Sequence, residues 1–133
     1  MFVHRLRVRF HECDPQGVVF NAHYFSYFDV ALTEMWRAAF GSYANVVQDG
    51  TDVVVVEAGA TFRAPARFDE EVDVGLAIER LGTTSMTMAA TVCRDGQLLV
   101  EGRMVHVFVD PATMAKKEIP PDVRAGLEPY ATA

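Results

Sequence analysis

The sequence predicts an α+β domain in which a curved antiparallel β-sheet wraps one long central helix. The first observation concerns residues 22–40, where polar side chains fall within an arc of roughly 140° and apolar side chains cover the remaining roughly 220°. The second observation is that most of the remaining chain alternates apolar and polar residues as strands do. A helix with so much apolar surface has to be enclosed, by the sheet alone or together with a second copy of the chain.

The composition is that of a single globular domain spanning residues 1–133. Half of the residues are hydrophobic and 23% are charged, and the chain is long enough to bury a core without disulfides or metals. The net charge of −6 argues against a nucleic-acid-binding protein with a broad basic face. The two cysteines form no spacing motif, and no signal-peptide pattern or membrane-spanning run is present. We therefore expect a cytoplasmic protein with reduced thiols and no membrane span.

The chain opens with a predicted half-buried strand. Arginines alternate there with the apolar side chains that we expect to face the core, namely Leu6, Val8 and Phe10. The segment from Asp14 to Gly17 follows as a tight turn, because proline presets φ and glycine accepts conformations that other residues avoid. The helix is then predicted to have Asn21 as its N-cap, to run through Phe40 and to end at Gly41.

Four consecutive antiparallel strands are predicted after the helix. A connection with a turn at Asp49-Gly50 leads to the first of them, over residues 53–68, and the last runs to Val109 and is apolar on both faces near its end, as in the middle of a sheet. Gly82 and the Asp95-Gly96 pair mark the intervening turns, and two prolines after residue 119 open a short terminal helix. The side chains expected to face the core on the first three strands are Val54, Val56, Ala58, Ala60 and Phe62, then Val72, Val74, Leu76 and Ile78, then Met86, Met88, Ala90 and Val92.

The loop that precedes the helix carries the residues that we expect to be reactive. The first turn of a helix has unpaired backbone N–H groups and about half a positive charge, which suits a developing oxyanion. A carboxylate near such a site, here Asp14 close to Asn21, is the minimum for acyl transfer, with the carboxylate as nucleophile or as general base on water. A thiolate would leave without strong acid assistance, because a thiol has a pKa of about 8.5. An aspartate in a turn more often only shapes that turn, so the local sequence leaves both interpretations open.

Several other side chains have a purely structural interpretation as well as a catalytic one. Asp29 and Glu34 are acidic residues of the predicted helix, and solvated or interface positions are expected for both. Cys13 is either a nucleophile or a buried thiol at the end of a strand. His106 lies in an apolar run and is predicted to be a core histidine with satisfied hydrogen bonds. We predict no metal site, because the spacing of zinc ligands is absent from His11, Cys13 and His23.

A longer pattern runs from the end of the first strand into the helix. It consists of Phe10, Asp14, Pro15, Gly17, Val18, Val19, Phe20, Asn21, Ala22, Tyr24, Tyr27, Phe28 and Asp29. Its spacing resembles the signature of the 4-hydroxybenzoyl-CoA thioesterase family of hotdog-fold proteins, which includes acyl-CoA thioesterases of the YbgC and FadM type. The resemblance extends over nearly the whole chain, because the segments that follow appear in the family's order, namely Phe62-Arg63-Ala64-Pro65 with Asp69, Arg80 to Ser85, and the final hairpin.

The resemblance implies a hotdog-fold enzyme that hydrolyses acyl-CoA thioesters to a free acid and CoA without a cofactor. In that family the aspartate matching Asp14 is the catalytic carboxylate, and the backbone N–H at the position matching Asn21 polarises the thioester carbonyl. Some hotdog thioesterases carry the catalytic carboxylate on the helix itself, so the resemblance gives Asp29 and Glu34 as the alternative. Each active site of the family lies where the helix N-terminus of one subunit meets the sheet of the other. We therefore expect a homodimer or a homotetramer.

The resemblance also directs the choice of substrate-binding residues, which are predicted to be Gly17, Phe20, Tyr24, Phe28, Arg63, Arg67, Thr83 and Ser85. The three aromatic residues are candidates for an acyl pocket, although aromatic residues at helical spacing more often belong to a core. The arginine pair that contacts CoA in the 4-hydroxybenzoyl enzyme corresponds roughly to Gly82 and Thr83. Phosphate contacts are therefore expected from the two arginines that flank the Pro65 turn.

Two other functions compete with thioester hydrolysis. A non-catalytic acyl-thioester-binding protein on the same fold would bind CoA and hydrolyse nothing. A hotdog hydratase would need a histidine beside a carboxylate in the cleft, and His23 lies on a helical face that suits this poorly. The acyl group, the choice between CoA and an acyl-carrier protein, the role of Asp14 as nucleophile or base, and the choice of dimer or tetramer stay open at this point.

Overall fold

The computed structural model describes residues 1–48 and 50–132, and these form the predicted α+β class. The chain begins with strand β1 (Phe2–Arg7) and continues into the 18-residue helix α1 (His23–Phe40). Four strands follow, β2 (Asp52–Phe62), β3 (Glu71–Leu81), β4 (Ser85–Arg94) and β5 (Gln97–Val109). Helix α2 (Pro121–Leu127) comes next, where the proline pair predicts it, and short 3-10 turns lie at Phe10–Glu12, Tyr43–Asn45 and Glu128–Tyr130.

The five strands form one antiparallel sheet in the order β1-β3-β4-β5-β2. Strands β3, β4 and β5 are neighbours in sequence and in space, and the turn between β4 and β5 has positive φ at Asp95 (49°) and Gly96 (80°), as its Asp-Gly sequence predicts. Strand β2 does not lie beside β3. It pairs with β5 at the far edge of the sheet, and β1 occupies the position next to β3.

The predicted inward faces of β3 and β4 are confirmed. Every side chain of these two faces is at most 1% exposed. Helix α1 packs on the same core with a seam of buried residues at helical spacing, which comprises Tyr24, Tyr27, Phe28, Ala31, Leu32, Met35 and Trp36. Phe28 is completely buried, and its ring lies so close to Gly102 of β5 that an added Cβ would be 2.5 Å from Cε2. Helix and sheet therefore meet where glycine leaves room for an aromatic ring.

The prediction for the first strand is partly wrong. Leu6 and Val8 are buried as expected, but β1 begins at Phe2 and ends at Arg7. Phe10 is 78% exposed, because the chain leaves the sheet after Val8 and turns through the 3-10 segment that ends at Glu12. The alternation of apolar residues thus continues beyond the last residue that pairs with a neighbouring strand.

The inward face predicted for β2 is also wrong, since Val56 is 59% exposed and Phe62 is 49% exposed. The pairing register with β5 shifts between Val55 and Glu57, which marks a β-bulge at Val56 and changes the phase of the alternation. Strand β2 is moreover an edge strand, and its outer side pairs with no described strand. It ends at Phe62, shortly before Pro65, a residue that has no backbone N–H to pair in a sheet.

Helix α1 ends where predicted, at a glycine with φ of 86°, but its start is different. The N-cap is Ala22 and not Asn21, and no side chain caps the first turn. One chain does not enclose the helix on all sides, because Val30 is 37% exposed and Ala38 is exposed as well. The predicted turn at Asp49-Gly50 includes a residue outside the described ones, and Gly50 has a φ of 67°. None of the described helices combines the length and hydropathy needed to cross a bilayer.

Candidate active site

The loop between the 3-10 turn and α1 doubles back on itself and presents Asp14. The carbonyl of Glu12 accepts a hydrogen bond from the Phe20 N–H at 3.0 Å, and the Asp14 N–H donates to the Val18 carbonyl at 2.9 Å. The Gly17 N–H closes the turn on the Asp14 carbonyl at 2.9 Å with a φ of +79°, a conformation that other residues adopt only with strain. The tight turn predicted from the sequence is therefore present.

The Asp14 carboxylate has one oxygen that shapes the turn and one that stays available. Its Oδ1 accepts the Gln16 N–H at 2.8 Å, which is the usual Asx turn. Its Oδ2 accepts no hydrogen bond from any other described residue, and the side chain is half-buried. The two interpretations of this aspartate are thus compatible, because shaping the turn uses only one oxygen.

A cavity of about 410 Å³ opens beside this loop. It is lined by Asp14, Val18, Val19, Phe20, Asn21, Tyr24, Phe62, Arg63, Ala64 and Pro65. Both predicted catalytic positions and three predicted binding residues lie on this one cavity, at the join of the loop, the helix start and the end of β2. Phe62 and its neighbours up to Pro65 were placed in the family pattern by sequence but were not predicted to line the site, apart from Arg63.

The start of α1 has two free backbone donors, and one of them belongs to Asn21, which lines the cavity. The first bonds of α1 run from the His23 N–H to the Phe20 carbonyl at 2.9 Å and from the Tyr24 N–H to the Asn21 carbonyl at 3.3 Å. The N–H groups of Asn21 and Ala22 have no acceptor among residues 1–48 and 50–132. Unpaired N–H groups at the positive end of a helix are suited to an oxygen that gains negative charge.

Tyr24 forms an inner wall of the cavity and ties it to the turn after β2. Its ring centroid lies 5.6 Å from that of Phe62, and its hydroxyl accepts the Ala66 N–H at 3.1 Å. Burial raises the pKa of Tyr24, so the hydroxyl stays protonated at neutral pH. The Pro65 carbonyl on the same turn accepts a hydrogen bond from Arg94 at 3.1 Å, which holds the turn from the other side.

Glu12 is a buried acid that the sequence reasoning missed. It is 7% exposed, and its Oε1 accepts hydrogen bonds from the Arg9 N–H at 2.7 Å and from the Tyr27 hydroxyl at 2.9 Å. Burial and then the Glu12 carboxylate raise the pKa of Tyr27, so its hydroxyl remains a donor. A single glutamate in a polar loop carries no signal of burial, because its partner lies 15 residues further along the chain.

The remaining predicted binding residues lie outside the cavity lining. Phe28 is completely buried in the core, and Gly17 makes the turn without lining the cavity. Arg67 is exposed beside the Pro65 turn, and Thr83 and Ser85 lie at and just after the turn between β3 and β4. Roles in substrate binding stay predictions for all of them.

The alternative reactive groups are differently placed. Glu34 is paired with Arg37, whose hydrogen bond lowers the pKa of Glu34, and Asp29 lines a different cavity. Burial raises the pKa of the Cys13 thiol, which disfavours the thiolate that a nucleophile requires. His23 does not line the 410 Å³ cavity. Within the described part of the chain, no three His, Cys, Asp or Glu side chains converge on a point that suits a metal ion.

His106 is a core residue as predicted, with 2% exposure. The prediction that its hydrogen bonds are satisfied is wrong, because neither ring nitrogen has a partner among the described residues. Burial lowers the pKa of His106 to about 4, so the ring is neutral at neutral pH. The apolar run around it indicates burial correctly but contains no information on what the ring nitrogens face.

Comparison with known proteins gives matches over most of the chain. The family model described as thioesterase-like superfamily matches residues 8–127. A putative esterase of Aquifex aeolicus is 30% identical over 108 residues, which are 81% of this chain and 84% of the relative. The acyl-CoA thioester hydrolase YbgC of Escherichia coli O6:H1 is 28% identical over 121 residues, 90% of each chain. The crystal structure of a hypothetical protein from Thermus thermophilus has a TM-score of 0.89 and 34% identity over 98% of this chain and 99% of its own.

Proposed function

Because the chain belongs to the thioesterase-like superfamily, and is a thioesterase, we propose that it hydrolyses acyl-CoA thioesters to a free acid and CoA. The observation that carries the proposal is the shared cavity. Asp14, which has a free carboxylate oxygen, and Asn21, which has a free N–H, line the same 410 Å³ space next to Tyr24 and Phe62. This arrangement provides a carboxylate, an oxyanion site and an apolar surface for an acyl group in one place.

In the proposed reaction the thioester carbonyl oxygen accepts a hydrogen bond from the Asn21 N–H at the start of α1. The Asp14 carboxylate either attacks the carbonyl carbon or removes a proton from a water that attacks it. The negative charge that develops on the carbonyl oxygen is stabilised by the N–H and by the helix end. Collapse of the tetrahedral intermediate breaks the C–S bond and releases CoA thiolate. If Asp14 is the nucleophile, a water then hydrolyses the acyl-aspartyl anhydride and regenerates the carboxylate.

Substrate contacts are proposed from the geometry of the same cavity. Phe20, Tyr24 and Phe62 would contact the acyl group beside the reacting carbonyl. Arg63 is the proposed phosphate contact, since its ion pair with Glu101 at 3.0 Å is about half exposed and therefore weak enough to exchange. Arg67 lies close by in sequence and is a second candidate for the same role.

We propose a homodimer joined along the outer edge of β2 as the working unit, with a tetramer of two such dimers as the alternative. The support is the exposed apolar surface on this edge strand, where Val55, Val56 and Phe62 are 48%, 59% and 49% exposed. Strand edges with apolar side chains pair readily with another strand. A second copy would also approach the part of α1 that one chain leaves open.

Both cysteines are free, which supports the proposal that the protein acts in the cytoplasm.

The test is a hydrolysis screen over short, medium, long and aryl CoA thioesters with an Asp14→Asn variant. This change keeps the shape of the side chain and removes the base or nucleophile, so kcat/KM should fall by a factor of about 100 or more. Asp110→Asn is the matched control, because the Asp110 carboxylate also forms an Asx turn, with the Ala112 N–H at 2.8 Å, away from the cavity. An Asp14→Asn enzyme with the wild-type kcat/KM would exclude the proposed role.

CoA binding measured on the same protein, together with the hydrolysis screen, distinguishes a thioesterase from a protein that only binds acyl thioesters. Saturable binding of CoA with no hydrolysis across the whole panel would favour a non-catalytic acyl-thioester-binding protein. A single turnover in ¹⁸O-labelled water tests the nucleophilic role of Asp14. An unlabelled first molecule of acid establishes that role, because its new oxygen then comes from Asp14 after water has attacked the aspartyl carbonyl of the anhydride. A labelled first molecule of acid is the result of the general-base route, and also of attack by water on the acyl carbonyl of the anhydride.

A further inference from the structure

Part of the wall of the 410 Å³ cavity is formed by the connection between β2 and β3, residues 63–70. This β2–β3 connection contributes Arg63, Ala64 and Pro65 to the cavity lining, directly after Phe62 at the end of β2. A surface connection keeps one shape only where hydrogen bonds and packing hold its backbone. The contacts of the β2–β3 connection therefore determine how much room the cavity offers to an acyl group.

Ala66 joins the β2–β3 connection to two other walls of the cavity. It is completely buried, its carbonyl accepts the Val19 N–H at 2.9 Å, and its N–H donates to the Tyr24 hydroxyl at 3.1 Å. Val19 and Tyr24 both line the cavity, and Val19 belongs to the loop that also carries Asp14. A displacement of Ala66 would therefore change the width of the cavity.

Arg94, at the end of β4, holds the β2–β3 connection without lining the cavity itself. Its Nη1 donates to the Pro65 carbonyl at 3.1 Å and to Oε1 of Glu70 at 2.7 Å, so one group binds both halves of the connection. Its Nη2 donates to Oε1 of Gln97 at 3.0 Å. Arg94 and Gln97 are paired residues on either side of the Asp95-Gly96 turn. The tight hairpin thus determines where the guanidinium lies.

Glu70 holds the second half of the β2–β3 connection. Its Oε1 also accepts the Arg67 N–H at 2.6 Å, and its backbone N–H donates to the Arg67 carbonyl at 3.3 Å. The side chains of Arg94 and Glu70 are only 22% and 29% exposed, and a partly buried pair of charged groups is less screened than one in open solvent. Asp69 has a φ of 69°, which a residue other than glycine keeps only where its surroundings impose it. The shape of this half therefore depends on Glu70 and on the arginine bound to it.

The groups that carry out the proposed reaction are held separately. The Asp14 carbonyl and N–H are bound to Gly17 and Val18 within the turn, and the Asn21 N–H lies at the start of α1. Within the part of the chain that the structure describes, the Arg94 guanidinium donates to none of these residues. Loss of the guanidinium should therefore change the wall of the cavity more than it changes the reacting groups.

We propose that Arg94 is a positioning residue that sets the size of the acyl group accepted by the 410 Å³ cavity. This inference rests on the proposed thioesterase function. The guanidinium holds Pro65, and through it Ala66, against the loop and the helix that form the other walls. A large acyl group that contacts the β2–β3 connection is bound better when this wall is held in place. A short acyl group that does not reach the wall is unaffected by it.

The first test is the Arg94→Met variant, which removes the three donated hydrogen bonds and keeps an unbranched side chain. For the largest thioester that the wild type hydrolyses, kcat/KM should fall by about tenfold, mostly through a higher KM, because loss of a hydrogen bond to a charged group weakens an interaction by about that factor. For the smallest thioester that is hydrolysed, kcat/KM should change by less than about threefold. An equal loss for both substrates, or no loss for either, would overturn the proposal.

Arg5→Met is the matched control. Arg5 also donates two hydrogen bonds to a carboxylate, that of Asp73 at 2.9 and 3.2 Å, but it joins β1 to β3 and lines no part of the cavity. Its kinetic constants should equal those of the wild type for both substrates. A change in acyl-size preference as large as that in Arg94→Met would also overturn the proposal, because it would show that loss of any paired arginine has the same effect.

Hydrogen exchange of the backbone amides, followed by NMR, tests the positioning role independently of turnover. In Arg94→Met the Val19 and Ala66 amides should exchange about tenfold faster than in the wild type, because the β2–β3 connection opens more often. Amides in the middle of β4 should keep their exchange rates, whereas general destabilisation of the fold would raise them as well. Unchanged rates at Val19 and Ala66 would overturn the proposal. Faster exchange at these two positions in a protein that hydrolyses no thioester would instead show failure of the proposed function alone.

Discussion

The hydroxyl of Tyr27 donates a hydrogen bond to the buried carboxylate of Glu12 at 2.9 Å. Tyr27 belongs to α1, and Glu12 belongs to the loop whose next residues include Asp14, so this bond joins the helix to the segment that carries the proposed catalytic carboxylate. The same carboxylate also accepts the Arg9 N–H, and the Glu12 carbonyl accepts the Phe20 N–H. Glu12 thereby positions both the start and the end of the loop without lining the cavity itself.

Replacing Tyr27 by phenylalanine should therefore weaken both the fold and the reaction. The change leaves a buried carboxylate oxygen with one partner fewer, which we expect to lower the free energy of unfolding by about 1–3 kcal/mol in urea titrations. It should also lower kcat/KM by about tenfold, because the loop is held less firmly. Tyr130→Phe is the control, since the Tyr130 ring packs on Phe2 and its hydroxyl has no described partner. Equal stability and activity of the two variants would contradict the role given to Glu12.

Gly102 should not tolerate a side chain. A Cβ at this position would lie 2.5 Å from Cε2 and 2.7 Å from Cζ of Phe28, a ring that is completely buried and cannot move aside freely. We expect Gly102→Ala to lower the free energy of unfolding by about 1–3 kcal/mol through overpacking. Gly59→Ala is the matched control on the neighbouring strand, because its added Cβ meets nothing within 4 Å. Similar midpoints of thermal unfolding for the two variants would argue against tight packing of Phe28.

The pH dependence of stability should contain a contribution from His106. Its pKa is about 4 in the folded chain and about 6.5 when unfolded, so between these values the unfolded chain binds a proton that the folded chain does not. The free energy of unfolding should therefore fall as pH decreases from about 6.5 to about 4, by roughly 3 kcal/mol in total. His106→Leu should lose this part of the slope, and replacing the exposed His11 by leucine should keep it. Parallel curves for wild type and His106→Leu would contradict the burial of a neutral ring.

The outer edge of β2 should control assembly. Val56→Lys introduces a charge on an exposed apolar residue of this edge, and we expect it to shift the protein from dimer to monomer in sedimentation velocity experiments. Val3→Lys is the matched control, because Val3 is 53% exposed on β1, the opposite edge of the same sheet. A dimer that persists in Val56→Lys and dissociates in Val3→Lys would place the interface at the other edge.

Local patterns predicted the parts of the fold that depend on local rules. The interiors of β3 and β4 follow from strict alternation. The C-terminal end of α1 and the turn of the last hairpin follow from Gly41 and Asp95-Gly96, which readily adopt positive φ. The predictions were wrong where the pairing of strands determines which side chains are buried. The bulge at Val56 and the exposure of Phe10 depend on which strand lies alongside, and no alternation of residues encodes that.

The candidate site also combines features that the sequence predicts with features that only the tertiary structure shows. The sequence by itself determined that Asp14 lies in a tight turn just before a helix, because proline, glycine and the helical period impose that order on neighbouring residues. Only the tertiary structure decided that Phe62 and Arg63 line the same cavity, that Glu12 is bound to Tyr27, and that His106 has no partner. These are contacts between segments far apart in the chain, and their geometry depends on packing of the whole domain. Short-range sequence rules carry no information about such contacts.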